Sequence, residues 1–249
     1  MLETQDLTIR FGGHAAVDGV SCAFHPGTLT SIVGPNGAGK TTYFNLISGQ
    51  LPATSGRVKL NGEDITSYAA PHRTRLGLGR AFQLTNLFPN LTALENVRLA
   101  VQARDGKGLD LLSRTLGHRE LTDQAMEHLA AVSLADRARA VAATLPHGDQ
   151  RKLEVAILLA LEPDVFMFDE PTAGMSVDEV PTVLDIIAAI KRRADKTILL
   201  VEHKMDVVRT LSDRIVVLHQ GKLVADGRPS EVINSDIVRE AYLGGAAHD

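Results

Sequence analysis

"LTSIVGPNGAGKTTYFNLIS", Leu29 to Ser48, joins a short apolar strand signal to a glycine-rich loop and then to a helical run. Its middle, "GPNGAGKTT" from Gly34 to Thr42, is a complete G-x-x-x-x-G-K-[ST] pattern in the context that pattern needs, following a strand and opening a helix near Thr41–Ser48. Gly34, Gly37 and Gly39, with Pro35, Asn36 and Ala38 between them, let the backbone fold closely enough to aim several N–H groups at one phosphate chain. The helix adds its positive N-terminal end. Lys40 brings a point charge to the β- and γ-phosphates, and Thr41, followed by Thr42, offers a hydroxyl suited to Mg²⁺. The stretch predicts a nucleotide site on a strand–loop–helix unit.

A second strand signal supplies what such a site needs next. "VFMFDE", Val165 to Glu170, is four apolar residues ending in two carboxylates. Asp169 is placed to hold the metal through water, and Glu170 to act as general base on a water in line with the γ-phosphate. Gln83 in "GRAFQL" follows another expected strand and can reach Mg²⁺ and the attacking water. His203 in "LLVEHK" ends a further strand and can hydrogen-bond the γ-phosphate. Strand ends are where open α/β sheets bind ligands.

The rest of the chain fits one large α/β domain. It has 249 residues, 44% hydrophobic and 22% charged, the balance of a globular protein with a substantial core. A net charge of −4 without a long basic run argues against nucleic acid as a partner. Cys22 is the only cysteine, so no internal disulfide can form. The first residues lack a signal-peptide layout, and no apolar run reaches the ~20 residues that cross a bilayer. Early runs such as "DLTIRF" and "VSCAFH" read as strands, and "GRVKLNGEDI" as a hairpin about Asn61-Gly62. Leu94 to Leu161 turns helical, with "DGKGLDLLSRTLGHR" as a glycine-punctuated loop or short helical excursion. Beyond Pro163 strands and helices alternate: helices are expected near Asp178–Arg193 and Met205–Leu211, and "RIVVLHQGKLVADG" as a hairpin. The expected fold is a P-loop NTPase core, a mostly parallel sheet flanked by helices. An N-terminal antiparallel β layer, an inserted helical subdomain at about 84–161 and a short helical extension at 228–249 accompany it.

These elements in this order resemble the nucleotide-binding subunit of ABC transporters over nearly the whole chain. The resemblance implies that Phe11 stacks on adenine, that Gln83 is the Q-loop glutamine and that His203 is the switch histidine. It also implies a head-to-tail dimer of identical or paralogous ATPase subunits, each ATP lying between one subunit's cradle and the other's signature helix. Further partners implied are membrane permease subunits and, indirectly, a solute-binding protein, with this chain at the cytoplasmic face of the inner membrane. "GLGRAFQLTNLFPNLTALENV", "DEPTAGMSVDE", "LVEHKMDVV" and "REAYLGG" look like the importers of branched-chain amino acids and their urea and amide relatives. The segment Leu84–Val97 is then the groove for a permease helix; Leu87, Phe88 and Leu91 fit that role or the subdomain core equally.

Three residues depart from the family pattern. Phe11 replaces a commoner tyrosine and keeps the ring that stacking needs. Ser176 stands where an aspartate is usual, which puts a cross-dimer hydrogen bond in doubt. The signature motif corresponds to Leu145, Pro146, His147, Gly148 and Asp149, so its serine is missing. Losing that hydroxyl removes a charge-assisted bond worth roughly 1.5–3 kcal/mol. Proline is tolerated at a first helical position, and His147, Gly148 and Asp149 retain backbone donors for phosphate. The segment reads as a weakened but working clamp, with the His147 ring either a substitute donor or surface filler. An alternative, a soluble ABC-type ATPase of DNA repair or ribosomes, lacks here the coiled-coil insertion or second cassette usual in such proteins. A P-loop kinase has no use for the Gln83, signature and His203 set.

Overall fold

The computed structural model describes residues 1–81, 87–106 and 116–235. Gln83, most of the glycine-punctuated stretch after Arg104 and the helix expected after Ser235 lie outside the described residues. The chain divides into two compact units, one of Met1–Leu78, Asp164–Glu170 and Lys191–Asp249, the other of Gly79–Pro163 and Pro171–Ile190.

The first unit opens with β1 (Leu2–Phe11), β2 (His14–Phe24), β3 (Leu29–Val33), α1 (Lys40–Ser48), β4 (Ser55–Leu60), β5 (Glu63–Asp64) and α2 (Ala70–Arg75). β6 (Leu78–Ala81) leads into the second unit, which holds α3 (Ala93–Arg104), α4 (Leu116–Ala131) and α5 (His147–Leu161). The chain returns for β7 (Val165–Asp169) and leaves again for α6 (Val180–Lys191). It closes with β8 (Thr197–Val201), α7 (Met205–Leu211), β9 (Arg214–His219), β10 (Lys222–Gly227) and α8 (Pro229–Val232).

Two sheets build the first unit. The antiparallel one has the order β2-β1-β4-β5; the other runs β10-β9-β3-β8-β7, parallel except for β10. "LTSIV", "VFMFD" and "TILLV" are buried at every position, as strands covered on both faces must be, which explains why they are mostly apolar without a period-two alternation. β1 and β2 run longer than the apolar alternation suggests, because polar residues such as Glu3 and Arg10 sit in the ladder with exposed or half-buried side chains. One core joins Leu7, Val20 and Phe24 of the antiparallel layer, Tyr43, Phe44 and Ile47 of α1, and Met167, Leu199 and Val216 of the parallel sheet. α1 is therefore held along its length. The Tyr43 hydroxyl lies 2.7 Å from Thr4 Oγ1 across this core, and complete burial pushes its phenol well above the usual range.

The expected hairpins both form. Asn61 and Gly62, at φ 51° and 86°, turn β4 into β5 with two left-handed residues, the geometry that suits the twist of the flanking strands. α7 spans the expected residues, and α6 is shorter than the Asp178–Arg193 expectation at both ends.

In the second unit, α3, α4 and α5 pack on one another, and Arg104 Nη2 of α3 donates to Gln124 Oε1 of α4 at 2.7 Å. Thr92 caps α3: its hydroxyl accepts from the Glu95 N–H at 3.2 Å while Glu95 reaches back to the Thr92 N–H at 3.3 Å. Replacing Thr92 with alanine is expected to cost about 1 kcal/mol. Chemical denaturation checks this as a lower midpoint at unchanged slope.

Candidate active site

β3 delivers the chain into the glycine loop, and α1 begins at Lys40 directly behind it. Gly39 takes φ 96°, and a Cβ there would sit 2.3 Å from the Ala16 carbonyl oxygen, so only glycine fits. No side chain caps α1 and its first turn carries no acidic residue. The positive end of the helix is thereby left to an external anion. Lys40 is buried, with Nζ donating to the Gly34 and Pro35 carbonyls at 2.7 and 2.9 Å. Burial lowers its ammonium from the usual lysine range, while the charges of Glu170 and Asp169 act the other way.

A cavity of about 220 Å³ opens over this loop, lined by Ala16, Asn36 to Thr42, Glu170 and His203. Three separate segments named from the sequence thus meet in one place. Gly34 and Pro35 contribute as the carbonyl rests of Lys40. Asp169 ends β7, buried, one residue before Glu170. Phe11 ends β1 with its side chain exposed and is not among the cavity's lining residues; the wall on that side is Ala16 of β2.

Glu170 and His203 form a pair. His203 Nε2 and Glu170 Oε1 are 2.9 Å apart, both side chains partly exposed to the cavity. Glu170 sits at φ 52°, uncommon for a residue with a long side chain, and its N–H donates to the Val201 carbonyl at 2.9 Å. Such a backbone costs on the order of 1–3 kcal/mol and persists where neighbours enforce it, most often at functional sites. Glu202, buried beside them, accepts from the N–H groups of His203 and Lys204 at 2.8 and 3.2 Å and so fixes the histidine's turn. Ala16 and Glu202 escaped the sequence reading. Ala16 lines the cavity with a residue type that carries no chemical signal; Glu202 adjoins His203 and could have been suspected.

His147, Gly148 and Asp149 open α5 in the second unit. Pro146 is not the first helical residue, as expected from sequence. It is the capping residue before the helix, at φ −53° and ψ 155°, and its carbonyl accepts from the Gln150 N–H at 2.9 Å. Proline's fixed φ suits both positions, and ψ alone decides between them. Asp149 pairs with Lys152 at 3.2 Å. The His147 ring lies beside Gly174, within 3.2 Å of where a Cβ would stand. Ser176 donates its N–H and hydroxyl to Glu179 Oε2 at 3.0 and 2.9 Å, so "SVDE" is a capping arrangement that the sequence reading overlooked. These two donors, the N–H first, hold the Glu179 carboxyl below its usual range. Its other oxygen faces Gly148, where a Cβ would come within 2.0 Å.

A family model described as "ABC transporter" matches residues 17–173. The chain belongs to the ABC transporter family. A second model, "Branched-chain amino acid ATP-binding cassette transporter", matches residues 222–248 of this ABC protein. The high-affinity branched-chain amino acid transport ATP-binding protein BraF of Pseudomonas aeruginosa is 39% identical over 99% of this chain and 98% of its own. LivG of Escherichia coli, with the same description, is 37% identical at the same coverage. Among solved structures, the ADP conformation of the ABC transporter cassette MJ1267 superposes with a TM-score of 0.82, at 28% identity and 98% coverage of both chains. The dimeric cassette MJ0796 bound to ADP and phosphate gives 0.79 at 26% identity, covering 92% of this chain and 99% of that one. This ABC protein is therefore an ATPase of the P-loop α/β fold, and ATP hydrolysis coupled to transport is its reaction.

Proposed function

We propose that the chain binds Mg²⁺–ATP in the 220 Å³ cavity and spends its hydrolysis on import of a small polar solute through a separate permease. Branched-chain amino acids are the favoured solute, with related amides and urea behind them. The observation that carries the site reading is the convergence of the Lys40 loop, Glu170 and His203 on one cavity. Full-length similarity to transport ATPases favours this over a DNA- or ribosome-associated ATPase.

In this reading Lys40 exchanges its two carbonyl partners for β- and γ-phosphate oxygens, and the N–H groups of the loop and of α1 hold the rest of the chain of phosphates. Oxygen donors suit magnesium, and the exposed Thr41 hydroxyl and the Asp169 carboxylate, with Gln83, are the residues that would hold it. When bound, the ion neutralises charge on the phosphates. Glu170 takes a proton from the attacking water, whose oxygen bonds the γ-phosphorus as the bridging oxygen leaves with ADP. His203 orients Glu170 and donates toward the γ-phosphate. Phe11 stacks on adenine.

The N-terminus of α5, behind Pro146, receives the nucleotide of a second ATPase subunit in a head-to-tail pair. Phe88 is exposed, on a loop that the buried Asn96 grips through the Phe88 N–H and carbonyl at 2.8 and 3.1 Å. That rigid apolar display supports docking of a permease segment at the cytoplasmic face of the inner membrane, with a solute-binding protein beyond it. Among the described residues no helix is long and apolar enough to cross a membrane.

Uptake of labelled leucine, urea and a short amide by cells from which this chain has been removed tests the proposal. Leucine uptake is expected to fall at least about tenfold and to return with the intact chain but not with Lys40→Ala. A loss confined to urea or the amide would reassign the solute, and unchanged uptake of all three would overturn the transport reading.

A further inference from the structure

The turn between β9 and β10 lies far from the phosphate loop in sequence and touches it in space. Gly221 N–H donates to the Ala38 carbonyl of the loop at 3.0 Å. The Gly221 carbonyl accepts from the Asp18 N–H of β2 at 2.8 Å. One residue thus ties the phosphate side of the cavity, at Ala38, to β2 at Asp18, two residues beyond the lining residue Ala16. β9 adds a second brace, since a Cβ on Gly34 would sit 2.1 Å from the Leu218 carbonyl oxygen.

The geometry points to Gly221 as a positioning residue for nucleotide, one that sets the distance between the phosphate loop and the Ala16 wall. It rests on the nucleotide reading of the cavity. Gly221 takes φ 76°, and a Cβ there would lie 2.8 Å from the Ala16 carbonyl oxygen, 3.0 Å from its carbon and 3.2 Å from the Ala15 carbonyl oxygen. All three are backbone atoms of β2 that cannot swing aside as a side chain does. No atom of the phosphate loop is among these nearest contacts. A side chain at 221 therefore meets the Ala16 wall first. The ion pair of Asp18 with Lys222, at 3.6 Å, joins the same two strands at the same point.

Calorimetry on the full chain with Mg²⁺ and ATP, ADP or inorganic tripolyphosphate separates wall from loop. Gly221→Ala is expected to weaken ATP and ADP alike by roughly tenfold and tripolyphosphate by less than about twofold. Gly221→Asn, which tolerates a left-handed backbone but carries the same Cβ, should behave likewise; Gln220→Gly, which adds no atom, should change neither. In the unmodified chain, hydrogen exchange at the Asp18 amide should slow with ADP and not with tripolyphosphate. Parallel loss of tripolyphosphate and ATP, or unchanged ATP affinity, overturns the assignment. If the unmodified chain binds none of the three, the nucleotide reading itself falls, and this inference with it.

Discussion

Replacing Glu170 with glutamine is expected to lower ATP turnover by about 10²–10⁴-fold while ATP affinity stays within about threefold. The substitution removes only the proton acceptor. Glutamine keeps the length and the oxygen that faces His203 Nε2 at 2.9 Å, and it tolerates the φ of 52° as poorly and as well as glutamate does. Lys40 loses one of the two carboxylates that oppose the effect of its burial, but Asp169 remains. Phosphate release at saturating Mg²⁺–ATP is the measurement, and a rate within threefold of the unmodified chain would remove Glu170 from the chemistry.

The same variant examines the signature segment. With hydrolysis blocked, a working clamp at Pro146 holds two subunits together for as long as ATP is bound, which sedimentation detects against Lys40→Ala as control. An ATP-dependent dimer would mean that backbone donors at the start of α5 suffice without a serine hydroxyl. A monomer that still binds ATP would point to a non-identical partner or to a disabled clamp, and Pro146→Ser separates these.

The chemistry-bearing part of the site was legible because it is written in contiguous residues whose types have few other uses. Nine residues from Gly34 to Thr42 specify a cradle, and "VFMFDE" specifies a buried strand with carboxylates at its mouth. Some of the contributions missed are made by backbone, others by side chains whose partners lie outside any motif. Gly221 acts through its N–H and carbonyl and Ala16 lines the cavity, and alanine or glycine at those positions reads as filler. Ser176 was read against a family pattern as a missing aspartate, although its partner Glu179 stands three residues on and together they cap the turn before α6. Arg73, inside "PHRTRLG", belongs to no motif; its partners lie up to 27 residues earlier.

Arg73→Ala is expected to destabilise the first unit by about 3–5 kcal/mol, close to the cost of stripping one partner from a buried charged network. The guanidinium is only 2% exposed and donates to four carbonyls: Nε to Tyr68 at 2.8 Å, Nη1 to Leu46 and Ile47 at 2.7 and 2.6 Å, and Nη2 to Thr66 at 2.8 Å. Burial draws it down to about 10, still charged at neutral pH. Leu46 and Ile47 lie in the last turn of α1, where carbonyls run short of helical N–H donors, and Leu46 accepts besides only from the capping Gly49 N–H at 3.3 Å among the backbone bonds. Arg73 therefore ties down the far end of the helix whose near end forms the phosphate cradle. The melting temperature should fall by about 10 °C for a chain of this size. Arg73→Lys should recover less than half of that, because a single ammonium cannot span four divergent acceptors. A fall below 3 °C would mean that water replaces these bonds without loss. Ligand linkage then shows whether the damage reaches the cradle. Saturating ATP at about 100 times its dissociation constant adds about 2.7 kcal/mol to any chain that binds it unimpaired. If α1 stays in register, the variant gains the same increment in melting temperature as the unmodified chain; if the helix slips, it gains less, and the loss measures how rigidly one end of α1 governs the other.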